Sequence, residues 1–323
     1  MAFLLFIYAF HSFKGKFLMI DIILATYNGE KFIETQLLSL MAQSFKEWRC
    51  FIHDDGSNDK TVEIVKNICA LDSRFFLIED SVRLKNPGKN FIHTLSYSTS
   101  DFVCFCDQDD IWLESKLEKL YASICHKNNE IPQVVFSNAY CWNSEKNVIA
   151  GSATLAFPTN IESLLFLNCG IQGASAIFNK KMKETLLVPI EKLVMHDWYL
   201  TIAGCSLGQI DYLHENLMLY RQHGNNFTGS TSSSFRTKLK NFLKTNNSLI
   251  DENHFESLMS FYEVWGDKLL KNDSRKINAF IASISQSRLK RFLMILQGNW
   301  NIYGSRLKLV IKFFMRPYFG GKK

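Results

Sequence analysis

The sequence predicts an α/β fold with a mainly parallel sheet flanked by helices, followed by a helical, basic C-terminal part. Three observations carry this expectation. From residue 20, short apolar runs alternate with stretches of helical spacing. Polar, acid-rich loops follow the carboxyl ends of those runs, and after residue 235 the alternation stops. Repeated β-α units pair their strands in parallel, cover both faces with helices and gather functional groups at the strand ends.

The elements follow in order. Ile20 to Ala25 reads as an apolar strand, and Thr26-Tyr27-Asn28-Gly29 as a turn. Glu30 to Gln43 places apolar residues at 33, 37, 38, 40 and 41, which is helical spacing. Trp48 to His53 is a second strand that runs into Asp54-Asp55-Gly56-Ser57, and Asp59 to Ala70 a second helix. Phe75 to Ile78 is a short strand, Asn86-Pro87-Gly88 a turn, and Asn90–Ser98 a helix. Phe102 to Cys106 is the fourth strand, and a further one is expected at Ala174 to Phe178. "TYNG", "DDGSND" and "DQDD" all lie at strand ends, so three polar loops should converge on one edge of one sheet.

With 47% hydrophobic and 21% charged residues in a chain of 323, the protein has enough apolar material for a sizeable core, in one large domain or two ordinary ones. Its net charge of +6 hides an asymmetry. Residues 232–323 hold 17 Lys+Arg against 6 Asp+Glu, and the eleven basic residues from Arg275 onward are joined by no acid. Such a tail fits an anionic surface. The eight cysteines are dispersed without a CxxC pair, which argues against a zinc site or a disulfide framework. Cys104 and Cys106 sit on one strand face, as packing residues do. Met1 to Phe10 is apolar but too short to span a bilayer and lacks the flanks of a signal peptide, so residues 1–18 read as an N-terminal extension.

Carboxylates that cluster beside a buried strand are costly unless a cation or hydrogen-bond donors compensate them. In Phe105-Cys106-Asp107-Gln108-Asp109-Asp110-Ile111-Trp112, Asp109 or Asp110 could cap a helix over Leu113 to Tyr121. Asp107-x-Asp109 alternatively suits a hard divalent cation, Mg²⁺ or Mn²⁺, which prefers carboxylate oxygens and leaves positions for phosphate. In Asp54-Asp55-Gly56-Ser57-Asn58-Asp59, Ser57 or Asn58 can cap the following helix, while Asp54 and Asp55 remain available to ribose hydroxyls or a base N–H. No GxGxxG or GxxxxGK[ST] occurs, which weakens dinucleotide-fold and P-loop readings.

The stretch "ILATYNGEKFIETQLLSLMAQSFKEWRCFIHDDGSNDKT" followed by "FVCFCDQDDIW" resembles the inverting family 2 glycosyltransferases of the GT-A fold. More narrowly, it resembles bacterial rhamnosyltransferase-like members that build cell-surface polysaccharides. The resemblance runs from about residue 20 to about 230. It implies that Thr26 and Tyr27 line the nucleobase pocket, that Asp55 or Asp54 reads the base, and that Asp107 lies near the ribose. Asp109 would be the metal ligand on the diphosphate. In Met195-His196-Asp197-Trp198-Tyr199, Asp197 matches the family's general base, although members often read Glu-Asp where this chain has His-Asp; a first-turn helix acid is the plainer reading. In Tyr220-Arg221-Gln222-His223-Gly224, Arg221 would neutralise phosphate and His223 would donate to it or ligate the metal, with Thr228 to Ser234 as a lid. Asn168 to Gly173 lies where relatives hold acceptor-side residues, and reads equally well as an ordinary Gly-containing loop.

The implied partners are a nucleotide-sugar donor, dTDP-L-rhamnose by subfamily resemblance, and a saccharide or lipid-linked glycan acceptor. A UDP-hexose donor or a metal-dependent nucleotidyltransferase is the alternative, and nucleic acid is not an expected partner. The expected organisation is a GT-A domain over 19–230 and a helical basic region over 231–323. "SRLKRFLMIL" and "SRLKLVIKFFMRPYF" read as amphipathic segments that lie on an anionic membrane, or as helices packed on the catalytic domain with a solvated charged face. Together these features predict a cytoplasmic enzyme peripheral to the inner face of the membrane.

Overall fold

The computed structural model describes residues 19–154, 157–222 and 248–320. Strand β1 (Ile20–Thr26) is an apolar run covered on both faces, so it can only sit inside a sheet. It pairs in parallel with β2 (Trp48–Asp54) on one side and β4 (Phe102–Cys106) on the other, and β2 pairs in parallel with β3 (Phe75–Leu77). Helices α1 (Ile33–Met41), α2 (Thr61–Leu71) and α3 (Pro87–Leu95) make the connections. The four strands therefore end at one edge, as the alternation predicts. Helix α3 begins at Pro87 rather than at Asn90, because Asn86 caps it by accepting from the Lys89 N–H at 2.9 Å and proline suits the first helical position.

Beyond β4 the sheet becomes mixed. Strand β8 (Ala176–Asn179) is antiparallel to β4 and to β6 (Gln133–Asn143). Strand β6 runs parallel to β9 (Gln209–Gln222), and β7 (Val148–Ser152) hangs on β6. The order is β3-β2-β1-β4-β8-β6-β9-β5, where β5 is the two-residue strand Ile111–Trp112, antiparallel to β9. This short strand corrects the capping expectation. Helix α4 spans Lys116–Ile124 with Ser115 at its N-cap, so neither Asp109 nor Asp110 caps it.

The sheet separates two cores. Alternate residues of β4 serve them: Val103 and Phe105 face one, and Cys104 and Cys106 face the other against Leu37, Leu117 and Leu120. All eight cysteines are free.

Helices α5 (Ile161–Leu164), α6 (Lys180–Leu186) and α7 (His196–Leu207) cover the first core. The C-terminal region joins that same core. It comprises α8 (Glu252–Trp265), α9 (Lys271–Ser283), α10 (Arg288–Gln297) and α11 (Arg306–Met315), with β10 (Ile250–Asp251) paired in parallel to β11 (Phe319–Gly320). Phe166 packs edge-on against Phe280 and Trp300, and the Trp265 indole N–H donates to the Tyr199 hydroxyl at 3.0 Å. Burying a side chain of this kind contributes about 1.5–3 kcal/mol. The C-terminal helices are thus part of what stabilises the α7 layer. Among the described residues no helix is long and apolar enough to cross a membrane.

Candidate active site

A cleft of about 1130 Å³ opens at the shared edge of β1, β2 and β4. Thr26, Tyr27, Asp55, Asp107, Asp109 and Asp197 all line it, so the structure brings together six of the residues singled out in the sequence. Asp54 and Arg221 stand apart from that set.

The loop after β1 is held by a residue that the motif reading passed over. Gln108, between the two acids, accepts from the Thr26 hydroxyl at 2.6 Å and from the Tyr27 N–H at 3.0 Å, and donates to the Tyr27 carbonyl at 3.1 Å. Its position between two carboxylates was the one available sign. The loop after β2 divides its acids by task. Asp54 accepts from the N–H groups of Gly56 and Ser57 and from the Ser57 hydroxyl, which folds the turn and leaves its carboxylate occupied. Asp55 faces the cleft and accepts from the Leu84 N–H, which ties it to the loop that carries Arg83, Lys85 and Asn86 into the same wall.

In the "DQDD" turn the three acids also part. Asp107 and Asp109 face the cleft, whereas Asp110 is fully buried and its Oδ1 accepts from the Arg221 N–H at 3.1 Å. Burial, then the charges of Asp109 and Asp197, push the Asp107 carboxyl up to about 7. Burial and the same acid cluster raise Asp110 well above the usual carboxylate range. The compensating cation is Lys116, fully buried, whose Nζ donates to the Ala174 carbonyl at 2.5 Å and lies 3.6 Å from the Trp112 ring centroid. Burial lowers this lysine to about 8 against the pull of its acidic neighbours. Asp109 presents a carboxylate to the cleft, the hard oxygen donor that an Mg²⁺ or Mn²⁺ ion takes, with Asp107 beside it.

Arg221 sits behind the turn rather than on the cleft wall. Its Nε donates to the Asp109 carbonyl at 2.7 Å, and its guanidinium lies between Trp142 and Phe32, 4.2 and 5.0 Å from their ring centroids. It braces the backbone that presents Asp109. His223, and the expected lid at Thr228 to Ser234, lie outside the described residues.

Asp197 stands in the first turn of α7 and lines the same cleft as the loops after β1, β2 and β4. Burial pushes its carboxyl up to about 7, against hydrogen bonds from the helix N–H groups. The loop Asn168 to Gly173 packs against this helix end with its glycines. A Cβ on Gly170 would lie 2.5 Å from the Asp197 carbonyl, and one on Gly173 would lie 2.8 Å from His196 Nε2. The small-residue pattern of that loop is therefore a requirement for close approach. His196 is stacked on Phe91 at 3.8 Å between centroids, and burial lowers it to about 3, so it stays neutral. Tyr303, from the turn between α10 and α11, completes the cleft at its outer side. No sequence signal pointed to it, because it arrives from the far end of the chain.

Comparison with known proteins gives the same picture. The family described as glycosyl transferase family 2 matches residues 21–186. The chain is 32% identical over 235 residues to a dTDP-rhamnosyl transferase, RfbG, of Shigella flexneri, covering 67% of this chain and 77% of that protein. It is 29% identical over 187 residues to a UDP-Glc:alpha-D-GlcNAc-diphosphoundecaprenol beta-1,3-glucosyltransferase, WfgD, of Escherichia coli, covering 57% of this chain and 69% of that one. Among solved structures, residues 1–349 of S. aureus TarS in complex with UDP-GlcNAc superpose with a TM-score of 0.58 at 17% identity, over 86% of this chain and 79% of that chain. This last likeness is one of fold.

Proposed function

The chain belongs to glycosyl transferase family 2, an enzyme of polysaccharide biosynthesis, and from that premise we propose that it transfers L-rhamnose from dTDP-L-rhamnose, with inversion, to a hydroxyl of a lipid-linked glycan. The observation that carries the reading is that Asp197 and the Asp107/Asp109 pair line one cleft, near enough for the Asp197 charge to raise the Asp107 carboxyl. Inversion requires a base on the face of the sugar opposite the departing nucleoside diphosphate, as in two-carboxylate glycosidases that invert. Asp197 takes the proton of the acceptor hydroxyl while that oxygen attacks the anomeric carbon, and a carboxyl near 7 is matched to that task at neutral pH. Asp55, Thr26 and Tyr27 hold the nucleoside, and Asp107 its ribose. Asp109, set by Arg221 from behind, offers the oxygen for the divalent cation, which when bound supplies charge to the leaving diphosphate.

The donor assignment draws on the 32% identical relative named as a dTDP-rhamnosyl transferase; the relative named for UDP-Glc favours a UDP-hexose as second reading. A panel of nucleotide sugars, read by thermal shift with and without Mn²⁺, decides between them. dTDP-L-rhamnose should give the largest Mn²⁺-dependent stabilisation, and Asp109→Asn should remove the Mn²⁺ dependence. A larger shift with UDP-glucose would overturn the donor assignment.

The acceptor side adds a membrane. Leu289, Leu293 and Leu296 lie exposed along one face of α10, and Leu307, Ile311 and Phe314 along α11. Both triplets follow helical spacing, and Arg288, Lys290, Arg306 and Lys308 flank them. An apolar stripe rimmed with cations suits an anionic bilayer surface, beside a cleft mouth formed by Tyr303.

A further inference from the structure

Behind the cleft wall that Asp55, Arg83 and Asn90 build, a second group of ligating side chains converges. His53 is the penultimate residue of β2, Asp80 follows β3, and His93 lies on α3. His53 Nε2 is 3.1 Å from Asp80 Oδ1, and His93 Nε2 is 2.8 Å from Asp80 Oδ2. One ligating atom from each lies within 4.8 Å of the others. His53 is buried, while Asp80 and His93 are partly open to solvent, which provides an entry path.

The tautomer of His53 makes this arrangement informative. Its Nδ1 is 2.6 Å from Asn90 Oδ1, and Asn90 Nδ2 is turned toward the His53 carbonyl at 3.4 Å. The amide oxygen therefore faces the ring and the Nδ1–H donates to it. In a neutral ring that proton is the only one, and Nε2 then presents a lone pair to a carboxylate oxygen 3.1 Å away. The contact therefore needs a second ring proton or a metal ion between the two atoms. Asp80 is fixed in place for that role by the Val82 N–H at 2.9 Å and the Tyr97 hydroxyl at 3.1 Å.

We propose that His53, Asp80 and His93 form a second metal site, for a divalent transition ion of the Zn²⁺ type, distinct from the hard-cation position at Asp109. Two imidazole nitrogens and one carboxylate select zinc over magnesium, which prefers oxygen alone. Zinc–nitrogen bonds of about 2.0–2.1 Å in a tetrahedral set separate ligand atoms by roughly 3.3 Å; each His–Asp80 contact would open by a few tenths of an ångström to reach it, and the two histidine nitrogens, within 4.8 Å of each other, would settle at the same separation. Asn90 supplies what such sites ask of their outer layer, a carbonyl that takes the other ring N–H and fixes the ring. The ion would join three segments, the end of β2, the 78–86 loop and α3, which together carry Asp55, Arg83, Lys85 and Asn90 to the nucleotide side of the cleft. Its effect is to stiffen that wall, and it takes no part in the sugar transfer.

The test uses tag-free, metal-stripped full-length protein, titrated with Co²⁺ followed by visible d–d absorption and with Zn²⁺ followed by calorimetry. The Asp109→Asn variant is titrated alongside, to remove the hard-cation position from the count. One equivalent of Co²⁺ with the intense bands of a four- or five-coordinate nitrogen-containing site is expected in wild type and in Asp109→Asn alike. His93→Ala, on a partly exposed helix position, should weaken uptake at least about 10-fold, and Asp80→Asn should do the same while keeping the side-chain shape. Absence of stoichiometric uptake would mean that a proton alone fills the gap and would overturn the proposal. So would equal affinity in wild type and both variants.

Discussion

The Thr26 hydroxyl donates to Gln108 Oε1 at 2.6 Å, so the loop after β1 and the loop after β4 are joined through the residue between the two acids. The same oxygen takes the Tyr27 N–H. Gln108→Ala would leave both donors without that partner, at a cost of about 1–3 kcal/mol if the cavity stays dry. The donor KM should rise about 10-fold, with a smaller change in kcat, since the lost contact positions the nucleoside pocket. Steady-state kinetics at varied donor concentration would check this, and an unchanged KM would mean that the two loops hold their places independently.

Asp197→Asn should lower kcat by about 10²- to 10⁴-fold, the usual size of general-base assistance. Donor affinity, measured by thermal shift, should stay within about threefold. In wild type, kcat/KM should fall as pH drops below about 7, because protonation removes the base; the variant should lack that limb. A parallel loss of donor affinity and rate would place Asp197 in donor binding instead.

The same carboxyl makes a stability prediction of opposite sense. Its folded value of about 7 lies above the roughly 3.9 of an unfolded aspartate, so the folded chain binds more protons between those pH values. Stability therefore declines as pH rises through that window. Asp197→Asn removes the penalty, and its melting temperature should exceed that of wild type by at least about 2 °C at pH 8 in EDTA, with no gain near pH 4. Equal melting curves at pH 8 would show that the Asp197 carboxylate is well solvated in the cleft.

Lys116→Met removes the buried cation from beneath Asp107 and Asp110. Breaking one partner out of a buried charge cluster costs about 3–5 kcal/mol. The loss should be larger at pH 8 than at pH 6, because the acids left behind must then ionise without compensation. Urea unfolding at the two pH values would report it. A uniform loss would assign Lys116 to packing and its bond to Ala174 alone.

For the membrane surface, Leu293→Glu with Ile311→Glu should release the protein from anionic liposomes in sedimentation assays, by at least about 10-fold. Thermal stabilisation by donor should be unchanged. Deleting 275–323 would be a poorer probe, because Ile277, Phe280, Trp300 and Leu309 belong to the core beneath α7. Equal sedimentation of the double variant and wild type would leave the stripe without a lipid role.

Much of the donor half was legible because its signals are local. A strand buried on both faces reads as a short apolar run, and loops at strand ends read as clusters of Asp, Gly and Ser, so β1, β2, β4 and their loops stood out. Strands β6 and β9 did not, since β9 carries His214, Glu215 and Asn216 through its middle and β6 shifts register beside Asn138. The division of labour within each acid pair was also invisible. Asp54 and Asp55 look alike in sequence, and only the hydrogen bonds of the turn separate the one that folds the loop from the one that faces the cleft. Lys116 and Tyr303 owe their places to contacts far along the chain, which no local pattern encodes.

Tyr303 reaches the cleft from the turn between α10 and α11, and those helices share their core with the layer that holds Asp197. Because the two share one core, the distance from the exposed stripe on α10 and α11 to Asp197 becomes a dimension of the molecule. On a bilayer, such an enzyme acts as a gauge. On the proposed reading it would glycosylate at one height above the headgroups, so that the length of the growing glycan, as much as the identity of its last sugar, would decide when this enzyme takes its turn.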